Sequence, residues 1–191
     1  MFVEVVNEGR GFMANLSGKK IAILVDNYFE ESEMTGPMKA LKEAGAKIDI
    51  IAAEPDGGEV QGLNHVEKGH KFKIDKTLEE ANIDDYDALI LPGGAVNADK
   101  LRVQNKAINW VKEVIDKGKP LAVICHAPWV LASAGVVSGR RLTSFPTIQD
   151  DLINAGADWL DEEVVIDGTL ITSRKPADIP AFNKAIATLL S

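Results

Sequence analysis

Cys125 and His126 stand side by side in Pro120-Leu-Ala-Val-Ile-Cys-His-Ala-Pro-Trp129, and Cys125 is the only cysteine of the chain. A thiol can serve as a nucleophile and an imidazole as a proton carrier. Covalent acyl-type chemistry needs both, together with donors for a developing oxyanion. Residues 121–124 form a short apolar run, as a buried parallel strand does. Val130, Leu131 and Ala134 then recur at helical spacing, and Gly135 closes the pattern. The spacing predicts that Cys125 sits where a strand turns sharply into a helix. It would be lifted over the carboxyl edge of a sheet and face the free N–H groups and positive dipole end of that helix. A thiol so placed is expected to lose its proton more easily than a free one. Side chains of adjacent residues ordinarily point apart, so His126 reaches the thiol only if the turn is strained. Each residue also has a plain reading: a lone cysteine as a small buried hydrophobe, and a histidine at a helix start as a structural hydrogen-bonding group.

Two other segments carry chemically suggestive residues. Gly93 and Gly94, in Pro92-Gly-Gly, let backbone N–H groups approach a substrate closely. With the N–H groups at the start of the cysteine helix they form a candidate oxyanion hole; the plain reading is a turn. Glu30, Glu31 and Glu33 cluster at a helix start, where negative charge is favoured, and Glu31 reads as solvated. His65 and His70 have only scattered acids such as Glu67 near them, so no metal site is expected. No phosphate-binding glycine loop follows the first strand. Asp26-Asn27-Tyr28 is no dinucleotide fingerprint, and no cofactor is expected.

The elements that would position these residues alternate. Residues 21–25 read as a central strand. Met34, Met38 and Leu41 follow at helical spacing up to Gly45, with Pro37 tolerable only in that helix's early turns. Strands are predicted over 47–52, 87–91 and 141–144, a hairpin excursion over 54–76 and a short helix over 78–83. Residues 104–117 form an amphipathic helix with Ile108, Val111 and Ile115 on one face. A helix from Pro146 carries Ile148, Leu152 and Ala155. A hairpin turns at Asp167-Gly168 between 164–166 and 170–172. A last helix follows Pro176, with Ile179, Phe182, Ile186 and Leu189 on one face. Such alternation predicts an α/β fold, a doubly wound sheet with helices on both faces, whose ligands bind outside the carboxyl ends of the strands.

A chain of 191 residues is large enough for one well-cored domain. The expected division is an N-terminal extension over 1–17 and a single domain over 18–191, with Met13 an alternative start. A net charge of −8 without a basic run argues against nucleic acid and anionic membrane as partners. One cysteine excludes an internal disulfide and fits a reducing compartment. With no apolar run of membrane-spanning length and no signal core near Met1, a cytoplasmic protein is expected.

Three separated segments then agree in order: Phe29-Glu-Glu-Ser-Glu33 with Pro37, Asp87-Ala-Leu-Ile-Leu-Pro-Gly-Gly94, and Ala122-Val-Ile-Cys-His-Ala-Pro128. Together with Asp150 to Trp159 and Glu162 to Gly168, they resemble the PfpI-type intracellular protease family, within the superfamily of the Parkinson-disease-associated deglycase. The similarity runs from about Gly18 to the C-terminus. It implies a flavodoxin-like sandwich with a nucleophile-elbow cysteine. It also implies that Glu33 lies beside the thiol and shares a proton with it. Two adjacent anions repel, so Glu33 would stay protonated while Cys125 ionises. It further implies that an acid from a neighbouring subunit completes His126; Asp99 matches that acid, which makes a homo-oligomer, dimer or hexamer, part of the site. Ala127 stands where the family has Gly, Trp129 where Gln is familiar, and Lys175 where a His is expected. Ala127 and Trp129 are expected to narrow substrate access.

The resemblance implies an enzyme acting on small reactive carbonyls or glycated proteins, as a deglycase or glyoxalase-like hydrolase. Cys125 would attack and His126 would carry the proton, while amides near Gly94 and Ala127 hold the oxyanion. The same residues suit an intracellular cysteine peptidase. A third reading is a non-catalytic redox sensor or chaperone that uses an oxidisable Cys125.

Overall fold

The computed structural model describes residues 14–191, so Met1 to Met13, the proposed alternative start among them, lie outside the described residues. Leu16, assigned to the extension, is buried in the core, and its N–H donates to the Ala44 carbonyl at 2.8 Å. The described part of the extension therefore packs as part of the domain.

In chain order the strands are β1 (Lys20–Val25), β2 (Phe29–Glu30), β3 (Lys47–Ala52), β4 (Glu59–Asn64), β5 (Glu67–Lys73) and β6 (Lys76–Thr77). They continue with β7 (Ala88–Leu91), β8 (Leu121–Ile124), β9 (Arg141–Leu142), β10 (Asp158–Trp159), β11 (Val164–Asp167) and β12 (Leu170–Ser173). The helices are α1 (Glu31–Glu43), α2 (Ala95–Leu101), α3 (Asn105–Asp116), α4 (Pro128–Ala134), α5 (Gln149–Asn154) and α6 (Ile179–Leu190). Seven strands form the main sheet in the order β11-β12-β8-β7-β1-β3-β6. All pairs in it are parallel except β11 with β12. From β1 the chain moves first to β3 on one side and then to β7 on the other. The strand order thus reverses between β1 and β7, where a doubly wound sheet opens its ligand crevice.

Period-two alternation sends the strand side chains into two separate cores. Ile21, Ile23, Ile90 and Ile124 meet Met34 and Leu41 of α1 and Phe182 and Ile186 of α6. Leu24, Leu89, Leu91 and Val123 meet Leu101, Val111, Val130 and Leu152 on the opposite face. Helices cover both faces as expected, and among the described residues none is long and apolar enough to cross a membrane. A separate small sheet, β2-β4-β5, contains the predicted hairpin excursion and sits beside the start of α1.

Four expectations change. Residues 78–83 do not form a helix. The Glu80 carboxylate ties back to the Thr77 N–H and hydroxyl, and Asn82 caps a 3-10 turn over Ile83–Asp85. Pro37 lies inside α1, beyond its first turn, and has no N–H to offer the Glu33 carbonyl. The preceding residue, Gly36, has no Cβ to meet the proline ring, and α1 and α6 approach so closely there that a Cβ on it would lie 2.9 Å from Ile179 Cγ2. In α3 the buried face is Ala107, Trp110, Val111 and Val114, while Ile108 and Ile115 are half-buried. Lastly, α2 follows Gly94 directly, where a turn alone was expected.

Candidate active site

Cys125 lies between β8 and α4 with φ of +65°, a left-handed conformation that costs a non-glycine residue on the order of 1–2 kcal/mol. Backbone hydrogen bonds hold it there. Its N–H donates to the Ser173 carbonyl of β12 at 3.1 Å, and its carbonyl accepts the Phe145 N–H at 2.8 Å. The next bond, from the Ala127 N–H to the Ile124 carbonyl at 3.1 Å, closes the turn. This strain brings the two adjacent side chains together: Cys125 Sγ and His126 Nδ1 are 3.1 Å apart. The imidazole stacks on Phe145 at 4.8 Å between centroids, meets the Trp129 ring edge-on at 5.5 Å, and places Nε2 3.3 Å from Thr147 Oγ1. Burial lowers the His126 pKa, favouring the neutral ring.

Glu33, in the first turn of α1, is fully buried, and its Oε2 accepts the Gly93 N–H at 2.8 Å. A Cβ at Gly93 would lie 2.5 Å from both Cys125 Cβ and Glu33 Oε2, so only glycine fits between thiol and carboxyl. Burial pushes the Glu33 pKa up to about 8, against the Gly93 N–H and a hydrogen bond with the Cys125 thiol, and with help from the nearby charge of Glu30. Glu33 is thus a neutral acid at pH 7. The thiol does not have the easy ionisation expected from its position. Cys125 is only 6% exposed, and burial pushes its pKa up; an ionised Glu33 pushes it further, while the Gly94 and His126 N–H groups pull it down. Protonating Glu33 removes the repulsive part of that shift.

The oxyanion donors also differ from expectation. The Ala127 N–H is taken by Ile124 and the Gly93 N–H by Glu33, so neither is free for a ligand. The amides that point at the sulfur are those of Gly94 and His126. Gly94 has φ of +91°, and a Cβ there would lie 2.7 Å from the Glu30 nitrogen.

Asn97, buried in α2, fixes this glycine turn. Its Nδ2 donates to the Pro92 carbonyl at 2.9 Å and the Gly93 carbonyl at 3.0 Å, and its Oδ1 accepts the Asp26 N–H at 2.6 Å. Asn97→Ala removes these bonds and leaves the Gly93 carbonyl with only the Glu30 N–H, at 3.2 Å. It is expected to destabilise the protein by about 2–4 kcal/mol and to loosen the Gly94 amide. Urea unfolding and the rate of Cys125 alkylation check the two effects. Asp99 of the same helix is exposed and faces solvent, so within one chain His126 has the Thr147 hydroxyl, not Asp99, at Nε2. Asn97 and Thr147 escaped the sequence reading. Spacing gives no cue to Thr147, which lies 21 residues from His126.

The sulfur opens into a cavity of about 580 Å³ lined by Glu30, Glu33, His65, Val66, Gly94, Ala95, Cys125, His126, Phe145, Lys175, Pro176 and Ala177. Neither Ala127 nor Trp129 lines it. Ala127 is buried beneath the turn, and the Trp129 indole is held by Asp151 at 2.8 Å with Arg102 over its ring, so neither narrows access. Glu31 is not solvated as expected: its carboxylate accepts the His70 N–H and meets His70 Nδ1, each at 2.7 Å, which ties α1 to the small sheet.

Residues 19–189 match the DJ-1/PfpI family. The chain is 42% identical over 171 residues to Deglycase PfpI of Pyrococcus furiosus, covering 90% of this chain and 99% of the relative. It is 41% identical over 174 residues to General stress protein 18 of Bacillus subtilis, covering 91% and 98%. The crystal structure of Drosophila melanogaster DJ-1beta superposes with a TM-score of 0.82 at 31% identity, over 90% of each chain. The shared fold, the match over nearly the whole domain and the identity to these relatives agree: the chain belongs to the DJ-1/PfpI family.

Proposed function

We propose that the protein is a cysteine-dependent hydrolase that removes small dicarbonyl adducts from amino groups and hydrates free glyoxals. The observation that carries this reading is the 3.1 Å approach of Cys125 Sγ to His126 Nδ1 on the floor of the cavity. Relatives named deglycases support the hydrolase role. A cavity of this volume is of small-molecule size, which favours a small carbonyl compound over a stretch of polypeptide. Burial of the thiol argues against a dedicated redox sensor.

In this reading a His126 tautomer with its proton on Nε2, facing Thr147 Oγ1, leaves Nδ1 to accept the thiol proton. The adduct's hydroxyl gives up its proton and becomes a carbonyl as the bond from that carbon to nitrogen breaks, and the imidazolium gives the thiol's proton to the departing amine. The thiolate adds to the freed carbonyl carbon, whose electron pair moves to oxygen, where the Gly94 and His126 amides donate and the hydroxyl's proton returns. A proton shift from that carbon to its neighbour leaves a thioester, and one water hydrolyses it to a hydroxy acid and the free thiol. Glu33 stays protonated and donates to the sulfur whenever the sulfur is anionic. The partner's Asp99 would add a carboxylate near His126 in a dimer or a hexamer built from dimers. A reducing compartment such as the cytoplasm keeps the thiol free.

The test is turnover of methylglyoxal, and of its adduct with N-acetyl-lysine, by the purified protein. Both are expected to be consumed with release of hydroxy acid, and stoichiometric alkylation of Cys125 is expected to stop both. Activity that survives complete alkylation, or peptide hydrolysis in place of carbonyl turnover, would overturn the reading.

A further inference from the structure

The cavity holds its fixed charges at opposite ends of the sheet edge. Along the carboxyl edge, Lys175 follows β12, Cys125 follows β8 and Gly94 follows β7, in that spatial order. Glu30, in β2, lies beside the end of β7, where its N–H donates to the Gly93 carbonyl at 3.2 Å. Adjacent strands lie about 4.8 Å apart, so the backbones at Lys175 and Gly94 are separated by roughly 10 Å with Cys125 between them. Lys175 and Glu30 both line the cavity, and much of the remaining wall, Val66, Ala95, Phe145, Pro176 and Ala177, is apolar.

Lys175 is an uncompensated cation. Its neighbour Arg174 takes the acids at that end, Asp161 at 2.7 Å and Asp178 at 2.8 Å. Among the described residues no carboxylate lies within ion-pair distance of Lys175. Pro176 follows it and holds its backbone extended, at φ −164° and ψ 169°. Glu30 is the opposite case. It is 9% exposed, anchored by the His65 N–H at 3.0 Å and the Ser32 hydroxyl at 3.3 Å, and among the described residues it keeps only the exposed His65 ring, 3.9 Å away, within ion-pair distance.

We propose that Lys175 is a specificity-determining residue that selects carbonyl adducts of free α-amino acids by binding their carboxylate. This rests on the carbonyl-adduct reading of the site and names its substrate class. In such an adduct the carboxylate lies only a few bonds from the carbon that bears nitrogen and hydroxyl. With the carboxylate on Lys175, that carbon sits over Cys125, and its hydroxyl points towards Glu30, which accepts the hydrogen. The reverse orientation sets a carboxylate against Glu30 and is repelled. On a chain of net charge −8, a local cation is also what an anionic ligand needs in order to approach.

The experiment compares kcat/KM for the methylglyoxal adducts of alanine and of alaninamide, which are alike in size while only the first carries the carboxylate charge. The wild type is expected to prefer the alanine adduct by about tenfold or more, the worth of a charge-assisted hydrogen bond. Lys175→Met is expected to erase the preference and Lys175→Glu to reverse it. Both variants are expected to melt with the wild type, because the residue is exposed. Equal wild-type efficiency on the two adducts, or a preference that survives in Lys175→Met, overturns the assignment and leaves the carbonyl-adduct reading standing. A wild type that processes neither adduct overturns both.

Discussion

Cys125→Ser is expected to lower kcat/KM for methylglyoxal at least about 1,000-fold while the melting temperature moves by only a few degrees. A serine hydroxyl is the weaker nucleophile and gives up its proton far less readily than a thiol. The neutral His126 ring offers no full charge to compensate for that difference. The fold has little reason to respond, because the new hydroxyl meets the same His126 Nδ1 and Gly94 amide that surround the sulfur. Steady-state kinetics beside a thermal melt separates the two effects. A variant that keeps a tenth of the wild-type rate would remove Cys125 from the chemistry.

Glu33→Gln is expected to change how stability depends on pH. The carboxyl has a folded pKa near 8 against an ordinary value of 4.5. Between those values the unfolded chain has lost this proton and the folded chain has kept it. The folded state therefore binds more protons, and wild-type stability falls as pH rises across the window. The contribution reaches on the order of 3–5 kcal/mol. The substituted amide cannot ionise, keeps an oxygen for the Gly93 N–H, and is expected to flatten the slope. Urea unfolding at pH 5, 6.5 and 8 gives the readout, and parallel profiles for the two proteins would show that Glu33 is ionised in the folded state. The same substitution removes the ionisable carboxyl beside the sulfur. Cys125 alkylation should then follow the thiol alone, in one step instead of the linked titration of a proton-sharing pair.

The central strands were readable because burial on both faces leaves continuous apolar runs, as in Ile21 to Val25 and Leu121 to Ile124. Gly135 and Gly45 marked helix ends correctly for a different local reason: each takes a positive φ, +71° and +100°, just past its helix. The two-residue strands β2, β6 and β10, and the helix α2, left no such trace. They are too short to show a period, and α2 is held by Asn97 bonds to the turn before it, with only Ala98 and Leu101 as buried apolar contacts. At the site, the segments around Glu33, Gly93 and Cys125 do meet at one sheet edge. Which amide is free there depends on hydrogen-bond pairings that residue types do not encode: Gly93 and Ala127 are occupied, Gly94 and His126 are not. The low thiol pKa expected from helix-end geometry was countered by burial, a consequence of tertiary packing.

The left-handed backbone at Cys125 has an evolutionary side. Glycine would adopt φ of +65° without strain, so any side chain at that position carries a backbone cost that glycine would not. Random substitution filtered only for folding would drift towards glycine there. A cysteine held at such a site is a standing stability deficit, and the chain tolerates it only while something selects for the sulfur.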